Sequence, residues 1–536
     1  MAKTTPRGEG RNPRVLEWVS EVPTPQIPDT NWASFMLDRM SAHGHNIAMI
    51  DASSGESRNF DYYGEGAPRV AGGLAAAGVK PGHSVLLMCN SHVDYPLLLL
   101  AVTYMGATCV LVSPSLTHEE VAWSIKECGA QWVLTYEAAL EKVDSARALL
   151  PPGTLRQVWY LTHNNQGDHG NHHAYTNNAG SITQLLQADP IPPKLLGVES
   201  RRTVAMIFFS SGTTGMPKGV MLSHTNVTAP LVNIRYIFTL MGEQGEMLAK
   251  EAYRMMLLML PLNHMYGYAM MMTNLYIGGT TLLLPGFSPE KFFRAIEKYK
   301  VTACPMVPHI ASFLKETPLL RHHDLSSLVA VSSSTSTVSA ALHESFAKET
   351  GKSLSSGYGM TEAVNIATND PIYGFSPGSV GRVMPYMQVK IIDVESGKMV
   401  GEGVEGEVCV RGPTMMLGYV NNPAATAACI DSDGWLHTGD LGYYTRDDFL
   451  FLTDRIKDLI KVKGYQVRMM AHVEVMGLCC GGVWCGYFIY FFFFTSNKHD
   501  FWETPPTVKP RCKSISQRDR SPKPENNQYR ICSHIQ

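Results

Sequence analysis

Short apolar runs alternate with helical segments over most of this chain, and this alternation limits the folds open to it. An apolar run at 84–90 precedes a helical stretch near 93–105, and a second apolar run at 107–112 follows. The same order recurs at 254–260 and 268–277, where a buried strand pattern is followed by an apolar helix pattern. Strands that alternate with helices are typical of parallel sheets. The repeats predict a large, doubly wound α/β core.

Two helix starts are marked by residues that suit unpaired backbone amides. Thr117 and Glu120 have the spacing of a capping box, in which each side chain bonds the backbone N–H of the other residue. Ser288 precedes Pro289, and proline suits the first helical position because an N–H there has no helical partner. We therefore expect helices to begin after Thr117 and after Ser288.

The pattern changes after about residue 377. Short strand patterns at 388–393, 406–411 and 449–453 are separated by turns rich in Gly and Asp. Strands that follow one another with turns between them are typical of antiparallel pairing. This part of the chain predicts a smaller antiparallel subdomain.

Charge and cysteine content exclude two classes of protein. The 536 residues include 45 Lys plus Arg and 47 Asp plus Glu, so the net charge of −2 excludes a broadly basic nucleic-acid binder. Of the 11 cysteines, six are scattered singly before the C-terminal segment and five lie in the last 69 residues, a distribution unlike a disulfide framework. The N-terminus is polar and has no apolar signal region, so we expect a cytoplasmic protein. Residues 533–536 do not form a peroxisomal address.

A polar segment at 163–178 contains four histidines. Histidine is a common metal ligand, but no Cys or Glu in this segment completes a set of zinc ligands. We therefore predict a solvated loop here and no metal site.

The most informative segment follows an apolar strand pattern at 204–209. It crowds small hydroxyl residues and glycines together: Ser210, Ser211, Gly212, Thr213, Thr214 and Gly215. Glycines let backbone N–H groups approach an anion closely, hydroxyls add donors, and Lys218 adds a mobile positive charge. The segment lacks the Gly-Lys-Ser/Thr ending of a P-loop. It predicts a nucleoside triphosphate site of different architecture, between a strand and a following helix.

Residues 210–220, SSGTTGMPKGV, resemble the signature loop of the adenylate-forming enzymes. This family includes acyl-CoA synthetases, 4-coumarate–CoA ligases and insect luciferases. The resemblance implies an α/β fold with a large N-terminal domain, built from two doubly wound sheets and a distorted β-barrel subdomain. In the family a small C-terminal α+β lid domain follows, and in this chain we expect that lid to be truncated or replaced.

A second segment, Tyr358–Glu362, resembles the adenine and metal motif of the family. The resemblance implies that Tyr358 stacks on adenine and that Thr361 contacts the α-phosphate. It also implies that Glu362 holds Mg²⁺, a hard cation that prefers oxygen ligands. The remaining residues of the implied nucleotide site are Gly357, Gly359, Ser333, Ser334 and Thr335.

The ribose and hinge segments of the family follow in the expected order. Trp435–Asp440 resembles the ribose motif, and an ionised Asp440 can accept bonds from both ribose hydroxyls. The basic segment from Asp454 resembles the hinge between the two domains. There the resemblance implies that Arg455 contacts ribose and that Lys457 is the pivot.

Two other segments also match. Pro261–Gly267 resembles a segment that lines the acyl pocket, with His264 and Tyr266 as candidates for contacts to the acid. Gly418–Tyr419 is a structural match, and we expect it in the smaller antiparallel subdomain.

The resemblance implies a two-step reaction with ATP, Mg²⁺ and coenzyme A as a co-substrate. A carboxylate attacks the α-phosphorus of ATP, and the coenzyme A thiol then displaces AMP from the acyl-adenylate. The implied catalytic residues are Lys218, His264, Thr361 and Glu362. The resemblance also implies an apolar pocket formed by Met265, Tyr266, Met270 and residues 306–309, which suits an aryl-propenoic acid or a medium-to-long fatty acid better than acetate.

The resemblance extends from about residue 30 to Val467. It divides the chain into an N-terminal extension, an adenylation domain, a hinge with the start of the lid, and a tail: 1–29, 30–454, 455–467 and 468–536. The tail does not resemble the lid, and no lysine in it can be assigned the lid's catalytic role. We interpret the tail as poorly ordered, non-homologous sequence, such as translated intron.

Within the tail, residues 475–496 carry no charge, so a transmembrane helix is the second interpretation. Four glycines, four consecutive phenylalanines and the absence of a helical boundary argue against a membrane anchor. Intact relatives in the family can be peroxisomal.

Three positions depart from the family pattern. Hydroxyl residues fill 333–337, where the family has small residues against adenine, so we expect crowding of the base. Ser356 stands where the family has Gln. Asp448 replaces a glycine in a turn, where a positive φ is expected to be needed.

Three functions fit these features. The first is an ATP-dependent acid–CoA ligase, impaired by the loss of its lid. The second is a lid-less pseudoenzyme that binds nucleotide or acid without efficient turnover. A luciferase-like oxygenase ranks third, since nothing in the sequence marks light emission.

Overall fold

The computed structural model of the chain describes most of the segment before the tail. The described residues are 13–18, 20, 22–162, 179–192, 199–210 and 217–462, with short strands at 465–470 and 492–493. Side chains are described up to Lys457. The histidine-rich segment 163–178, the loop residues 211–216 and the tail apart from those strands lie outside the described residues, and so does the proposed anchor at 475–496 except for its two strand residues.

Two compact units are distinguished, Met1–Leu459 and Ile460–Gln536. Apart from Leu459, the second unit contains the backbone of a small sheet formed by Leu459–Val462, Tyr465–Met470 and Phe492–Phe493. None of the described helices combines the length and the apolar character that a membrane crossing requires. The cytoplasmic location stays a prediction.

The first large sheet has eight strands among the described residues, and its central strands run parallel. Its spatial order is Gly418–Tyr419, Lys218–Ser223, Val204–Ser210, Thr108–Leu111, Ser84–Leu87, Trp132–Tyr136, Gln157–Leu161 and Ala179–Ser181. The strands predicted at 84–90 and 107–112 are confirmed as parallel neighbours, with Val85 opposite Cys109. The helix predicted between them is Tyr95–Tyr104.

The second large sheet has nine strands within the described ranges. Its spatial order is Arg382–Val383, Ala363–Asn369, Leu354–Met360, Ala330–Ser333, Ala303–Met306, Met255–Leu258, Thr280–Leu283, Ile47–Asp51 and Ser57–Asn59. Six consecutive strands in its centre are parallel, and antiparallel strands flank them. The two sheets confirm the predicted doubly wound α/β core.

The predicted antiparallel subdomain is confirmed as a five-stranded sheet in the described part of the chain. Its order is Leu16–Glu17, Gln388–Ile392, Gly406–Arg411, Leu436–Tyr444 and Leu450–Arg455. The edge strand comes from the predicted N-terminal extension, since Leu16 pairs with Val389. In the turn before Leu450, Asp448 has a φ of 64°, as expected from its glycine-like position, and its carboxylate binds Arg14.

Helices cover the faces of the two large sheets. They are Trp32–Ser41, Phe60–Ala76, Tyr95–Tyr104, His118–Cys128, Leu140–Ala148, Ile182–Leu186, His224–Thr239, Gly242–Ala252, Met265–Ile277, Pro289–Tyr299, Pro308–Glu316, Ala340–Thr350 and Pro423–Cys429. Short 3₁₀ segments occur at Glu137–Ala139, Pro318–His322 and Ile456–Asp458. Every residue of the helix Tyr95–Tyr104 is buried. A helix that is apolar on all sides is expected in the interior of a protein.

The two predicted helix starts have different outcomes. Thr117 forms the predicted capping box: Glu120 N–H donates to Thr117 Oγ1 at 3.3 Å, and Thr117 N–H donates to Glu120 Oε2 at 2.8 Å. Ser288 is the N-cap residue and Pro289 begins the helix, but the Ser288 hydroxyl does not cap the backbone. It donates instead to Glu290 Oε2 at 3.3 Å, because that carboxylate lies within reach.

One hydrophobic cluster contains side chains from all three of these sheets. Leu87 comes from the eight-stranded sheet, Leu258 from the nine-stranded sheet and Val389 from the antiparallel subdomain, and all are at most 1% exposed. Protein interiors of this kind are close-packed and deform little. The strand ends that carry the candidate site are therefore held by a common rigid core.

Candidate active site

The predicted phosphate loop connects two antiparallel strands. Ser210 ends the strand Val204–Ser210 and pairs with Lys218, which begins the strand Lys218–Ser223. The expected helix, His224–Thr239, follows the loop, but residues 218–223 first continue the sheet as a strand that was not predicted. The hairpin places Ser210 and Lys218 side by side at the mouth of the loop.

The other loop residues lie outside the described part of the chain. They are Ser211, Gly212, Thr213, Thr214 and Gly215. Their contacts to phosphate stay a prediction.

Lys218 and Glu362 both contact Tyr419. The Lys218 ammonium lies 4.9 Å from the centre of the Tyr419 ring. The Tyr419 hydroxyl donates a hydrogen bond to Glu362 Oε1 at 2.9 Å. Glu362 is 7% exposed, so this bond forms away from bulk water, where hydrogen bonds to charged groups are strong.

Tyr419 is a site residue that the sequence analysis missed. We expected Gly418–Tyr419 in the smaller subdomain, but this strand lies at the edge of the eight-stranded sheet, where Tyr419 pairs with Val220. The pairing is what brings the ring beside Lys218. No local sequence signal marks a contact to Glu362, which lies 57 residues earlier in the chain.

A second buried carboxylate belongs to Asp440, which is 5% exposed. The Tyr358 hydroxyl donates to Asp440 Oδ2 at 2.7 Å, and Arg455 Nε lies 3.1 Å from Asp440 Oδ1. Burial raises the pKa of the Asp440 carboxyl, while the bond from Tyr358 and the charge of Arg455 oppose that rise. The structure thus brings together three residues predicted from separate motifs.

A β-bulge explains why Asp440 points toward Tyr358. On the strand Gly406–Arg411, Glu407 pairs with Leu441 and Cys409 with His437, so one residue on this strand faces three on its partner. Bulges of this kind turn a side chain away from its regular direction. Gly439, within the bulge, has a φ of 72°.

Two side chains hold this bulge in place. The Gly439 N–H donates to Glu407 Oε1 at 3.2 Å, and the Asp440 N–H donates to Thr438 Oγ1 at 3.1 Å. Thr438 Oγ1 in turn donates to the carbonyl of Val408 at 2.7 Å. Glu407 and Thr438 were not predicted as site residues, because their role depends on the strand register.

The adenine segment follows a parallel strand of the nine-stranded sheet. Ser333 is buried, and its hydroxyl has no hydrogen-bond partner among the described atoms. Ser334 Oγ donates to the carbonyl of Gly357 at 3.1 Å, which joins two neighbouring strands at their carboxyl ends. Thr335 has a φ of 80°, a left-handed conformation that is rare for a β-branched residue. Ligands of open α/β sheets bind at such strand ends.

The remaining residues of the segment around Tyr358 have different surroundings. A side chain at Gly359 would lie 2.5 Å from the carbonyl oxygen of Val364, so this position requires glycine. Thr361 lies in the turn after the strand Leu354–Met360 and is partly buried. Ser356 is buried and donates to the carbonyl of Ser379 at 3.2 Å, so it acts within the core.

The acyl-pocket candidates adjoin the adenine segment. His264 is the N-cap of the helix Met265–Ile277, and its Nδ1 accepts a bond from the Tyr266 N–H at 3.3 Å. Burial lowers the pKa of His264, which favours the neutral ring. The Tyr266 hydroxyl lies 3.3 Å from the Ser332 hydroxyl, one residue before Ser333.

The hinge candidate Lys457 is exposed and lies in the short 3₁₀ segment Ile456–Asp458, directly after the ribose candidate Arg455. The Arg455 side chain is 62% exposed. These positions place both cations at the outer end of the Asp440 strand pair, where Asp440 and Arg455 are register partners.

The site fits Mg²⁺ on chemical grounds. An ionised carboxylate offers about four lone-pair positions. The Tyr419 hydroxyl occupies one of those on Glu362. The remaining oxygen positions are hard ligands of the type that Mg²⁺ prefers.

Comparisons with known proteins agree on one family. Residues 37–420 match the profile of the AMP-binding enzyme family. The chain is similar to 4-coumarate–CoA ligase 4 of Arabidopsis thaliana, with 32% identity over 444 residues, 81% of this chain and 75% of that protein. Peroxisomal OPC-8:0-CoA ligase 1 of the same plant is 32% identical over 468 residues, 85% of this chain and 81% of that protein.

Solved structures share the fold. ATP-bound MatB from Rhodopseudomonas palustris superimposes with a TM-score of 0.69 at 23% identity and covers 82% of each chain. A luciferase-like enzyme from the nonluminescent Zophobas morio mealworm gives a TM-score of 0.69 at 22% identity, over 83% of this chain and 100% of that one.

Proposed function

Because this chain belongs to the AMP-binding enzyme family, we propose that it is an acid–thiol ligase that activates a carboxylic acid with ATP and transfers the acyl group to coenzyme A. A carboxylate oxygen attacks the α-phosphorus of ATP and pyrophosphate leaves, which gives an acyl-adenylate. The coenzyme A sulfur then attacks the acyl carbon, loses its proton and displaces AMP. Such phosphorus chemistry depends mainly on positioning and charge neutralisation.

One observation carries the proposal: two buried carboxylates are each held by a tyrosine hydroxyl. Tyr358 binds Asp440 at 2.7 Å, and Tyr419 binds Glu362 at 2.9 Å. Buried carboxylates need hydrogen-bond donors or cations as partners. A nucleotide with its magnesium ion offers both. Ribose hydroxyls can donate to Asp440. Glu362 can hold Mg²⁺, which when bound neutralises charge on phosphate oxygens.

Lys218 supplies positive charge for the phosphates of ATP. Its place at the end of the hairpin, opposite Ser210, supports this role because the intervening loop is rich in glycine and hydroxyl residues. The Tyr419 ring holds the ammonium within 4.9 Å of its centre and limits its direction. Thr361, next to Glu362, contacts the α-phosphate in this proposal.

The acid lies beside His264 and Tyr266. His264 lines the proposed acid pocket with a polar but uncharged ring, since burial lowers its pKa and favours the neutral form. The link from Tyr266 to Ser332 puts this pocket one residue from the adenine segment, where the acid and the α-phosphate must meet. We propose an aryl-propenoic acid or a medium-to-long fatty acid as substrate. The names of similar ligases, for 4-coumarate and for OPC-8:0, support this range.

We also propose that turnover is slower than in relatives with a recognisable lid. The sequence after Val467 offers no lysine that can be assigned the lid's catalytic role. The extreme form of this proposal is a pseudoenzyme that binds nucleotide without turnover.

Exchange of labelled pyrophosphate into ATP tests the adenylation step. Each acid of a panel, from acetate to cinnamates and C8–C16 fatty acids, is added to the full chain with ATP and Mg²⁺. Exchange that depends on the acid, and that Glu362→Gln abolishes, supports the ligase. ATP binding by calorimetry without exchange for any acid supports the pseudoenzyme. A chimera with a homologous lid then shows whether the lid alone limits the rate.

A further inference from the structure

Three different metal-binding side chains converge on the antiparallel subdomain. Cys409 and His437 are register partners on neighbouring strands. Glu407 precedes Cys409 by two residues, and side chains two apart on a strand share a face. The Cys409 Sγ lies 3.6 Å from His437 Nδ1, and that nitrogen lies 2.9 Å from Glu407 Oε2. One ligand atom from each residue falls within 4.8 Å of the others.

We propose that Glu407, Cys409 and His437 bind one divalent cation of the zinc class, at a site separate from Glu362. The donor set of thiolate, imidazole and carboxylate matches protein zinc sites. A thiolate ligand also selects zinc and similar soft ions over Mg²⁺.

The spacing of the ligand atoms fits a tetrahedral ion. With Zn–S of about 2.3 Å and Zn–N of about 2.0–2.1 Å, sulfur and nitrogen ligands stand about 3.6 Å apart, and nitrogen and oxygen ligands about 3.4 Å apart. The first value equals the observed Sγ–Nδ1 distance of 3.6 Å. The second requires the Nδ1–Oε2 pair, now 2.9 Å apart, to open by a small side-chain rotation.

A carboxylate lies near the second ring nitrogen of His437. When a cation occupies Nδ1, the ring proton moves to Nε2, which lies 3.6 Å from Asp431 Oδ2, so a small ring rotation is needed to bring this pair to hydrogen-bond distance. A carboxylate at the second nitrogen orients a ligating imidazole and raises its basicity. Lys390 lies 3.9 Å from the same Asp431 oxygen.

The site is also open to solvent, and the two oxygens of Glu407 have separate roles. Glu407 Oε1 accepts the Gly439 N–H, so Oε2 is the oxygen presented to the ion. Cys409 is buried, while the His437 side chain is 31% exposed, so an ion and a water ligand enter from the histidine side.

Titration of the full chain with Co²⁺ and Zn²⁺ tests the site without any assumption about the enzyme's reaction. We expect a thiolate-to-cobalt absorption band that zinc abolishes and that excess Mg²⁺ leaves unchanged. Cys409→Ser should lose this band and one bound equivalent. Cys304→Ser, a change of another buried strand cysteine, should keep both. The cysteines of the tail are present in every variant, so their contribution cancels in the comparison.

Two further variants keep the test decisive if Cys409→Ser does not fold, as judged by circular dichroism. His437→Gln retains the thiol but should lose the band. Asp431→Asn should weaken zinc about 10- to 100-fold, the usual cost of removing an outer contact. An unchanged band and stoichiometry in folded Cys409→Ser or His437→Gln would overturn the proposal.

Discussion

Replacement of Tyr419 by Phe removes one hydroxyl from the proposed site and leaves the ring in place. The hydroxyl donates to Glu362 Oε1 at 2.9 Å, and Glu362 is 7% exposed. A hydrogen bond to a charged group contributes about 1.5–3 kcal/mol. At about 1.4 kcal/mol per tenfold change, Tyr419→Phe should slow acid-dependent pyrophosphate exchange about 10- to 150-fold.

The contact between Lys218 and the same ring allows the loss of the hydroxyl to be separated from the loss of the aromatic ring. Lys218 lies 4.9 Å from the ring centre, and Phe preserves this contact. A cation–π contact contributes about 0.5–1 kcal/mol at exposed sites. Tyr419→Leu should therefore lose a further few-fold in rate beyond Tyr419→Phe. Because Glu362 is the proposed Mg²⁺ ligand, both variants should also need more Mg²⁺ for half-maximal exchange.

A matched control is available in the core. Tyr63 is fully buried and donates to the carbonyl of Val93 at 2.6 Å, outside the proposed site. Tyr63→Phe should lower the melting temperature without a change in the Mg²⁺ requirement. An exchange rate for Tyr419→Phe within twofold of the wild type, in a folded protein, would refute the reasoning.

Three other predictions follow from the ribose and adenine segments. Gly439→Ala should weaken ATP binding, because Ala at a φ of 72° costs about 1–2 kcal/mol and disturbs the bulge that presents Asp440. Gly397→Ala, at a φ of 67° and with equally open space, should lose similar stability and keep ATP affinity in calorimetry. Burial raises the Asp440 pKa, so on acidification this carboxyl is protonated at a higher pH than an ordinary aspartate. ATP affinity should fall with it as pH decreases, and Asp440→Asn should bind weakly with no such acid-side fall. Thr335→Gly should raise the free energy of unfolding by about 1 kcal/mol in urea titrations, since it relieves a φ of 80°.

Local patterns were sufficient to predict several of the sheet strands. The run at 406–411 is a strand with those same bounds, and the capping box at Thr117 forms as its spacing predicts. These features depend on residues close in sequence, which is why they can be inferred from one chain. The positive φ of Asp448 was expected on a different ground, the glycine that the family has at this turn.

Contacts between distant segments were harder to predict. The strand Lys218–Ser223 is stabilised by its pairing with Val204–Ser210, a partner on the other side of the loop. Tyr419 reaches Glu362 only because its strand joins the eight-stranded sheet rather than the subdomain. The direction of the Asp440 side chain depends on a bulge between two strands. Register and pairing are properties of the whole sheet.

The most direct test of the ligase follows an oxygen atom of the acid. The acid that gives the fastest pyrophosphate exchange is labelled with ¹⁸O in its carboxylate and incubated with the full chain, ATP, Mg²⁺ and coenzyme A. Attack of this carboxylate on the α-phosphorus leaves one labelled oxygen on the AMP that is later displaced. We predict AMP with one ¹⁸O and an equal amount of acyl-CoA by mass spectrometry. Unlabelled AMP, or ADP and phosphate without any thioester, would contradict the proposed function.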